Sequence, residues 1–260
     1  MCGRYASTAD PGRLVAEFDA LDETDPNEPL TPAEAGPNYN VAPTEKVLTV
    51  VSRHDRGTPA ARRRIRRMRW GLVPHWTPAA EPGVPAGGKP LFNARADTAA
   101  RLPSFRDAMR SRRCLIPMDG WYEWQVVAGA DGKATKVAYF TTPANGDRLA
   151  VAGLWSVWRD PTVPDQPPLS SCTILTTAAV GPLQQIHDRM PLFLPAQDWP
   201  AWLAPDRPAP ATLLDAPAET VVAGLEIRPV GQAVNSVRNN SPDLLRRADL
   251  PGPGEQISLL

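Results

Sequence analysis

The 260-residue chain has only three cysteines, Cys2, Cys114 and Cys172, an odd number with no CxxC pair. No disulfide framework is expected, and a reduced, cytoplasmic setting fits. Histidine is equally sparse: His54, His75 and His187 are the full set and show no HxxxH spacing, so no metal site is expected. The sequence has no GxxxxGK(S/T) or GxGxxG loop and no GxSxG elbow, so neither a nucleotide cofactor nor a serine-hydrolase site is expected. No run of about 18 apolar residues exists, which excludes a helical membrane span. The opening Met-Cys-Gly-Arg-Tyr is not followed by the apolar stretch of a signal peptide. A net charge is missing too: 28 basic residues balance 28 acidic ones. Global attraction to nucleic acid therefore does not follow from composition.

The charges that exist are unevenly placed. Leu14 to Glu45 carries eight acidic residues and no Lys or Arg, whereas Arg62, Arg63, Arg64, Arg66, Arg67 and Arg69 fall within eight positions. On a strand, alternate residues face opposite ways, so at most half of that stripe points into one groove. It reads either as a contribution to a basic groove or as a solvated strand face. Hydrophobic residues make up 42% of the chain, enough for a sizeable core, and 31 prolines against 18 glycines predict short elements joined by stiff loops.

The pattern predicts strands over Lys46–Arg53, Ile65–Leu72, Cys114–Pro117, Val137–Thr142, Leu149–Trp158 and Cys172–Thr177. Helical character appears over Ser104–Arg112, with Ser104 as N-cap, and over Pro182–His187 and Ala196–Leu203. Thr24–Asn38 and Pro78–Lys89 read as loops, the latter flexible. The tail after Asn239, with Pro242, Pro251 and Pro253, reads as trailing over the surface. Strands arrive in runs without βαβ alternation, which predicts an α+β fold with largely antiparallel sheets. No internal boundary is evident, giving one domain over 2–239 and a C-terminal tail over 240–260.

Cys2 directly follows the initiator methionine. A small second residue permits methionine removal, and the mature chain then begins with a thiol and an α-amine on adjacent carbons. Together they can close a five-membered thiazolidine ring on an aldehyde. At pH about 7.4 roughly a fifth of an α-amine is neutral, against about a thousandth of a lysine. The chemistry requires that this aminothiol be uncapped and reachable from solvent. Gly3 lets the backbone approach a ligand, and Arg4 can hold a phosphate beside the reacting carbon.

Three further segments carry candidate chemistry. Asp119-Gly120-Trp121-Tyr122-Glu123-Trp124 sets Glu123 among aromatics and reads equally as a proton shuttle and as a buried, paired carboxylate. Ile186-His187-Asp188-Arg189-Met190-Pro191 pairs a proton carrier, His187, with a phosphate ligand, Arg189, although a lone histidine is more often structural. Phe92-Asn93-Ala94-Arg95-Ala96-Asp97 offers an amide at Asn93 and a guanidinium at Arg95, or else a polar turn capping the next helix.

These blocks resemble, in order, a known family. Met-Cys-Gly-Arg-Tyr, Tyr39-Asn40-Val41-Ala42-Pro43-Thr44, Arg69-Trp70-Gly71-Leu72-Val73-Pro74, Asn93-Ala94-Arg95, Arg113-Cys114-Leu115-Ile116-Pro117, Gly120-Trp121-Tyr122-Glu123-Trp124, Ala152-Gly153-Leu154-Trp155 and His187-Asp188-Arg189-Met190-Pro191 are similar to the SOS response-associated peptidase family, also called abasic-site processing proteins. The likeness runs from Cys2 to about Asn239. It implies one compact α+β domain around a curved, barrel-like β-sheet, and Cys2 in a basic groove for single-stranded DNA, forming a thiazolidine with an abasic sugar. It further implies Asn93, Glu123 and His187 as site residues, Arg4, Arg95 and Arg189 as phosphate or sugar contacts, and Trp76 and Trp124 as stacking surfaces. A monomer without cofactor or membrane contact, nucleoid-associated when on DNA, is expected. An associated strand-cleaving lyase activity is left open, as is an alternative reading: an N-terminal-nucleophile peptidase. Ser156, Ala179 and Val137-Ala138-Tyr139 depart from the usual family pattern, outside the Cys-Asn-Glu-His set.

Overall fold

The structure, a computed structural model, describes residues 2–88, 90–128 and 134–249. Fifteen strands are present among them: β1 (Arg4–Ser7), β2 (Leu21–Asp22), β3 (Asn38–Val41), β4 (Lys46–His54), β5 (Ala61–Trp70), β6 (Ala79–Glu81), β7 (Val84–Pro85), β8 (Asn93–Arg95), β9 (Arg113–Met118), β10 (Gly120–Ala128), β11 (Ala134–Pro143), β12 (Leu149–Trp158), β13 (Leu169–Ala178), β14 (Arg189–Pro191) and β15 (Leu225–Val230). The helices are short, the longest being the eight-residue Pro11–Phe18. The fold is α+β, as expected.

Five long strands close into a ring. β13 pairs with β12, β12 with β9, β9 with β4 and β4 with β5, all antiparallel; β5 then returns to β13 through a parallel contact at Arg69–Trp70 and Ser171–Cys172. Closure leaves little exposed sheet edge. It also explains why β12, Leu-Ala-Val-Ala-Gly-Leu-Trp-Ser-Val-Trp, is apolar on both faces: nine of its ten residues are buried. One face (Val50, Ile65, Leu115, Ala152, Leu154, Leu175) packs under the short helices through Leu14, Phe18, Met109 and Trp202. The other (Val47, Val51, Met68, Trp70, Cys114, Ile116, Val151, Cys172, Ile174) fills the ring interior. Space there is tight. A Cβ on Gly153 would lie 2.9 Å from Ile116 Cδ1 and 3.0 Å from Cys114 Sγ.

A second sheet, in the order β15-β11-β10-β1-β3, lies against the ring. Tyr5, Val41 and Trp121 join the ring's interior cluster, while Ala6, Tyr122, Phe140 and Val230 pack on the sheet's other side with Leu244. The N-terminal strand is therefore central in this sheet, flanked by β10 and β3.

Some expectations need correction. Pro78–Lys89 is not wholly irregular: β6 and β7 form a hairpin, tied down by Gly83 N–H donating to Asp160 Oδ2 at 2.7 Å; Lys89 lies outside the described residues. Ser104 does not cap its helix, which begins at Arg106 after Phe105 without a side-chain cap. Thr24–Asn38 contains a capping box, Thr31 with Glu34, and ends in β3. The segment after Asn239 does not simply trail over the surface. Leu244 is buried, Arg247 bridges to Val230, and Asn240 Oδ1 accepts from Tyr39 N–H. Residues 250–260 lie outside the described residues.

Candidate active site

β1 carries the N-terminal residues between β10 and β3. β1 begins at Arg4, opposite Tyr122 of β10, so Cys2 lies just before the strand and Glu123 is the residue after Tyr122. Glu123 is buried and lies on the Trp121 face of β10, toward the ring. β8 brings Asn93 in from the other side, held parallel to β13 with Asn93 opposite Ile174. Asn93 Nδ2 donates to the Cys2 carbonyl at 2.7 Å. Its Oδ1 is buried and has no hydrogen-bond partner among the described residues. A buried amide oxygen left unmet in this way usually marks a place for a donor that arrives from elsewhere.

Cys2 departs from one expectation. The thiol is not open to solvent in the 260-residue chain: Cys2 is 0% exposed and belongs to the ring's interior cluster. Its Sγ lies 3.9 Å from the Arg4 carbonyl. Burial pushes the thiol's pKa well above the usual range, and the neighbouring Glu123 carboxylate adds to the shift. Both effects penalise a thiolate there. Cys2 stands just before β1, and its side chain packs in the apolar cluster with Tyr5 and Trp121.

Asn93 and Arg95 sit at alternate positions of β8, and β14 enters on the far edge of β13, with Ala178 opposite Arg189. Arg189 donates to the Thr176 carbonyl, and burial together with the Arg95 charge lowers its pKa. Its Nε is buried without a partner among the described residues. Arg95 is exposed and forms a two-pronged contact with Asp97, at 2.7 and 3.1 Å. His187 lies just before β14. Its Nδ1 is 3.0 Å from the Arg189 backbone N–H and 2.8 Å from Asp188 Oδ1. One ring nitrogen cannot serve both: it accepts from Arg189 when unprotonated and donates to Asp188 when protonated.

Arg4 and Trp124 are set apart from this group. By strand alternation both lie on the face of β10 and β1 opposite Glu123, and the Arg4 guanidinium stands 6.0 Å from the Trp124 ring centroid. Arg4 donates to Asn40 Oδ1 at 2.7 Å and to the Val234 carbonyl at 2.8 Å, and Trp124 Nε1 donates to Asn235 Oδ1 at 2.8 Å. Trp76 is 55% exposed, on the turn after β5. Sequence reasoning gave no role to Asn40 or Asn235. Asn40 is 1% exposed and its amide reaches the Ser236 and Asn239 carbonyls at 2.9 and 3.0 Å, so it staples residues 234–239 beside Arg4. Its signal was an uncharged polar side chain inside the apolar block Tyr39–Pro43.

Part of the basic stripe is engaged within the protein. Arg64 pairs with Glu23 and Asp55, Arg63 donates to the Phe18 carbonyl, and Arg69 donates to the Gly71 carbonyl. Among the described residues no group of His, Cys, Asp and Glu could hold a metal ion, and no helix is long and apolar enough to cross a membrane.

Comparison with known proteins decides the family. The model of the SOS response associated peptidase (SRAP) family matches residues 1–237. The chain belongs to the SRAP family. Among its relatives, abasic site processing protein YoqW of Bacillus subtilis is 34% identical over 246 residues, covering 94% of this chain and 99% of that protein. Abasic site processing protein HMCES of Gallus gallus is 31% identical over 284 residues, covering 98% and 80%. A solved structure from Bacteroides thetaiotaomicron superposes with a TM-score of 0.75 at 21% identity, covering 95% of this SRAP chain and all of that one, which shows the shared fold. A Bordetella bronchiseptica structure gives 0.63 at 27% identity over 88% of this chain.

Proposed function

We propose that this SRAP protein processes abasic sites in single-stranded DNA by covalent capture on Cys2. The observation that carries the reading is the grip of Asn93 on the Cys2 carbonyl at 2.7 Å, with the buried Glu123 across the strand. A side-chain clamp on the Cys2 backbone holds that residue in a fixed position, as a reacting group must be held.

Methionine removal converts the Cys2 amide nitrogen to a free amine. His187 and Glu123 carry the protons that open the sugar hemiacetal to its aldehyde. The neutral amine adds to the aldehyde carbon, and the carbinolamine loses one water with Glu123 supplying the proton, leaving a Schiff base. The Cys2 sulfur then adds to the same carbon, its proton passing to the nitrogen, and the thiazolidine closes. β-Elimination from the Schiff base is the branch that would cleave the strand. Asn93 Oδ1, which meets no donor among the described residues, fits the amine or the opened sugar hydroxyl, and Arg189 Nε fits a phosphate oxygen.

In this reading methionine removal precedes capture. The amide nitrogen of an internal Cys2 is not nucleophilic, and the thiol beside it is held protonated. Intact-mass measurement tests this directly. Processed protein incubated with an abasic oligonucleotide gains the oligonucleotide mass less one water, and Cys2→Ala gains nothing. A stoichiometric adduct on Cys2→Ala, or none on protein shown to begin at Cys2, would refute it. Turnover of an amide substrate without a DNA adduct would favour the peptidase reading instead.

A further inference from the structure

The ring has two ends, and the site described above uses one. At the other, β5 leaves β13 after Arg69–Trp70 and takes β2 as its neighbour at Arg64–Ile65. The ring therefore splays into a mouth. The interior-facing alternation of β5 that begins at Trp70 and Met68 continues through Arg66 and Arg64 to Arg62. That of β4, from Val47 through Val51, continues to Arg53, which pairs with Arg62 across the strands. Arg112, one residue before β9, follows the alternation of Ile116 and Cys114, and its carbonyl accepts from Trp155 N–H at 2.9 Å. The Arg53 guanidinium stands 5.9 Å from the Trp155 ring centroid. Five arginines thus share the interior-facing alternation at this end of the ring, and the charges of Arg53 and Arg64 are felt at Arg66.

Two carboxylates answer them. Glu23 pairs with Arg64 and lies 3.6 Å from Arg66, and Asp55 pairs with Arg64. Burial and the guanidiniums of Arg53 and Arg64 pull the Arg66 pKa down, the mark of crowded positive charge. Two donors in the mouth, Arg64 Nε and Arg112 Nε, are buried and have no hydrogen-bond partner among the described residues. The Arg64 side chain is only 8% exposed. A mere charged plug would be expected to satisfy its own donors. Buried guanidinium N–H groups that meet no acceptor among the described residues match the planar, multidentate recognition of a phosphate.

We propose that this second mouth is a phosphate-binding site, separate from Cys2, which takes either a phosphodiester of bound nucleic acid or a free phosphorylated ligand. Arg53 and Arg112 are the residues to vary, since neither carries a carboxylate contact among the described residues and neither belongs to the Cys2 site. The probes are inorganic pyrophosphate, followed by calorimetry, and a fluorescent undamaged oligothymidylate, followed by anisotropy at several salt concentrations. The variant Arg53→Ala/Arg112→Ala should weaken pyrophosphate binding about tenfold or more, as loss of charge-assisted hydrogen bonds implies. Its rate of adduct formation at saturating abasic DNA should be unchanged, which separates this site from the covalent chemistry.

If the oligothymidylate also binds more weakly and with a shallower salt slope, the phosphate is that of a strand. If pyrophosphate alone is affected, the ligand is a free phosphorylated molecule. Wild-type affinity of the variant for both probes, or no saturable pyrophosphate binding by the wild type, overturns the proposal. Should the double variant fail to fold by circular dichroism, Arg53→Lys keeps the charge but loses the planar fork. A several-fold loss of pyrophosphate affinity is then expected, and equal affinity overturns the proposal.

Discussion

The two interior cysteines away from the site make the alkaline stability of the protein a direct test of its core. Cys114 and Cys172 are 0% exposed in the ring interior, and burial raises both thiols above their ordinary range. The sign follows from proton linkage. In the unfolded chain these thiols lose their protons near pH ~8.5, whereas in the folded chain they keep them, so the native state binds more protons above that pH. Their stabilising contribution is complete below the unfolded value and is lost as pH rises beyond it. Each thiol costs about 1.4 kcal/mol of stability per pH unit in that window, so the pair removes roughly 2.5 kcal/mol between pH 9 and 10. That is a large share of the ~5–15 kcal/mol typical of a folded domain. Urea unfolding under reducing conditions at pH 7, 9 and 10 measures it. Because other groups titrate there too, the decisive quantity is the difference in pH slope between wild type and Cys172→Ala. The variant should lose less stability between pH 9 and 10 by about 1.2 kcal/mol. An identical slope would show that Cys172 ionises as easily folded as unfolded, and that the ring interior is not sealed.

Three other outcomes follow from the geometry. Asn93→Ala removes the donor to the Cys2 carbonyl, so adduct formation on denaturing gels should slow about tenfold for roughly 1.4 kcal/mol of lost positioning; a rate within twofold of wild type would remove Asn93 from the mechanism. Gly153→Ala forces a methyl group to 2.8 Å of the Thr173 carbonyl oxygen and against Ile116 and Cys114 and should destabilise by about 1–3 kcal/mol in chemical unfolding; a loss below about 0.5 kcal/mol would show that the ring interior is not tightly packed there. Asp188→Asn removes the carboxylate at His187 Nδ1 and leaves the Arg189 N–H, so nitrogen NMR should find the ring held with its proton on Nε2; an undiminished Nδ1–H population would show that Asp188 does not govern the tautomer.

The long strands were legible because they carry their own pattern. Leu149–Trp158 is apolar without alternation, as a strand covered on both faces must be, and its bounds agree with those of β12. The short strands were not legible. β1 and β3 have four residues each and owe their conformation to partners far away in the chain. Ring closure was unreadable for the same reason, since it depends on a parallel contact between Arg69–Trp70 and Ser171–Cys172 about a hundred residues apart. The two charge runs were visible, but not that they meet. Glu23 of the acidic run pairs with Arg64 of the basic one, so neither acts as a free patch over its whole length. At the site, Asn93 and Glu123 are brought toward Cys2, whereas Arg4 and Trp124 lie on the other face of their sheet with Asn40 and Asn235. A motif shows that residues travel together, and strand alternation decides which side they face.

The place of β1 in its sheet bears on reactivity. A terminal aminothiol free in solution reacts with any aldehyde it meets, so a protein built on one needs a way to keep it idle. A central strand supplies that way. β1 is hydrogen-bonded on both edges, to β10 and β3, and Cys2 leads into it, gripped by Asn93 and with its sulfur sealed among apolar side chains. In the unprocessed chain the nitrogen is an amide and the sulfur is a protonated thiol, so both halves of the reagent are silent at once. Removing the methionine converts the nitrogen, and a donor that meets Asn93 Oδ1 can draw the residue toward the ligand. On the proposed capture by Cys2, reactivity would then depend on processing and on occupancy of the site together.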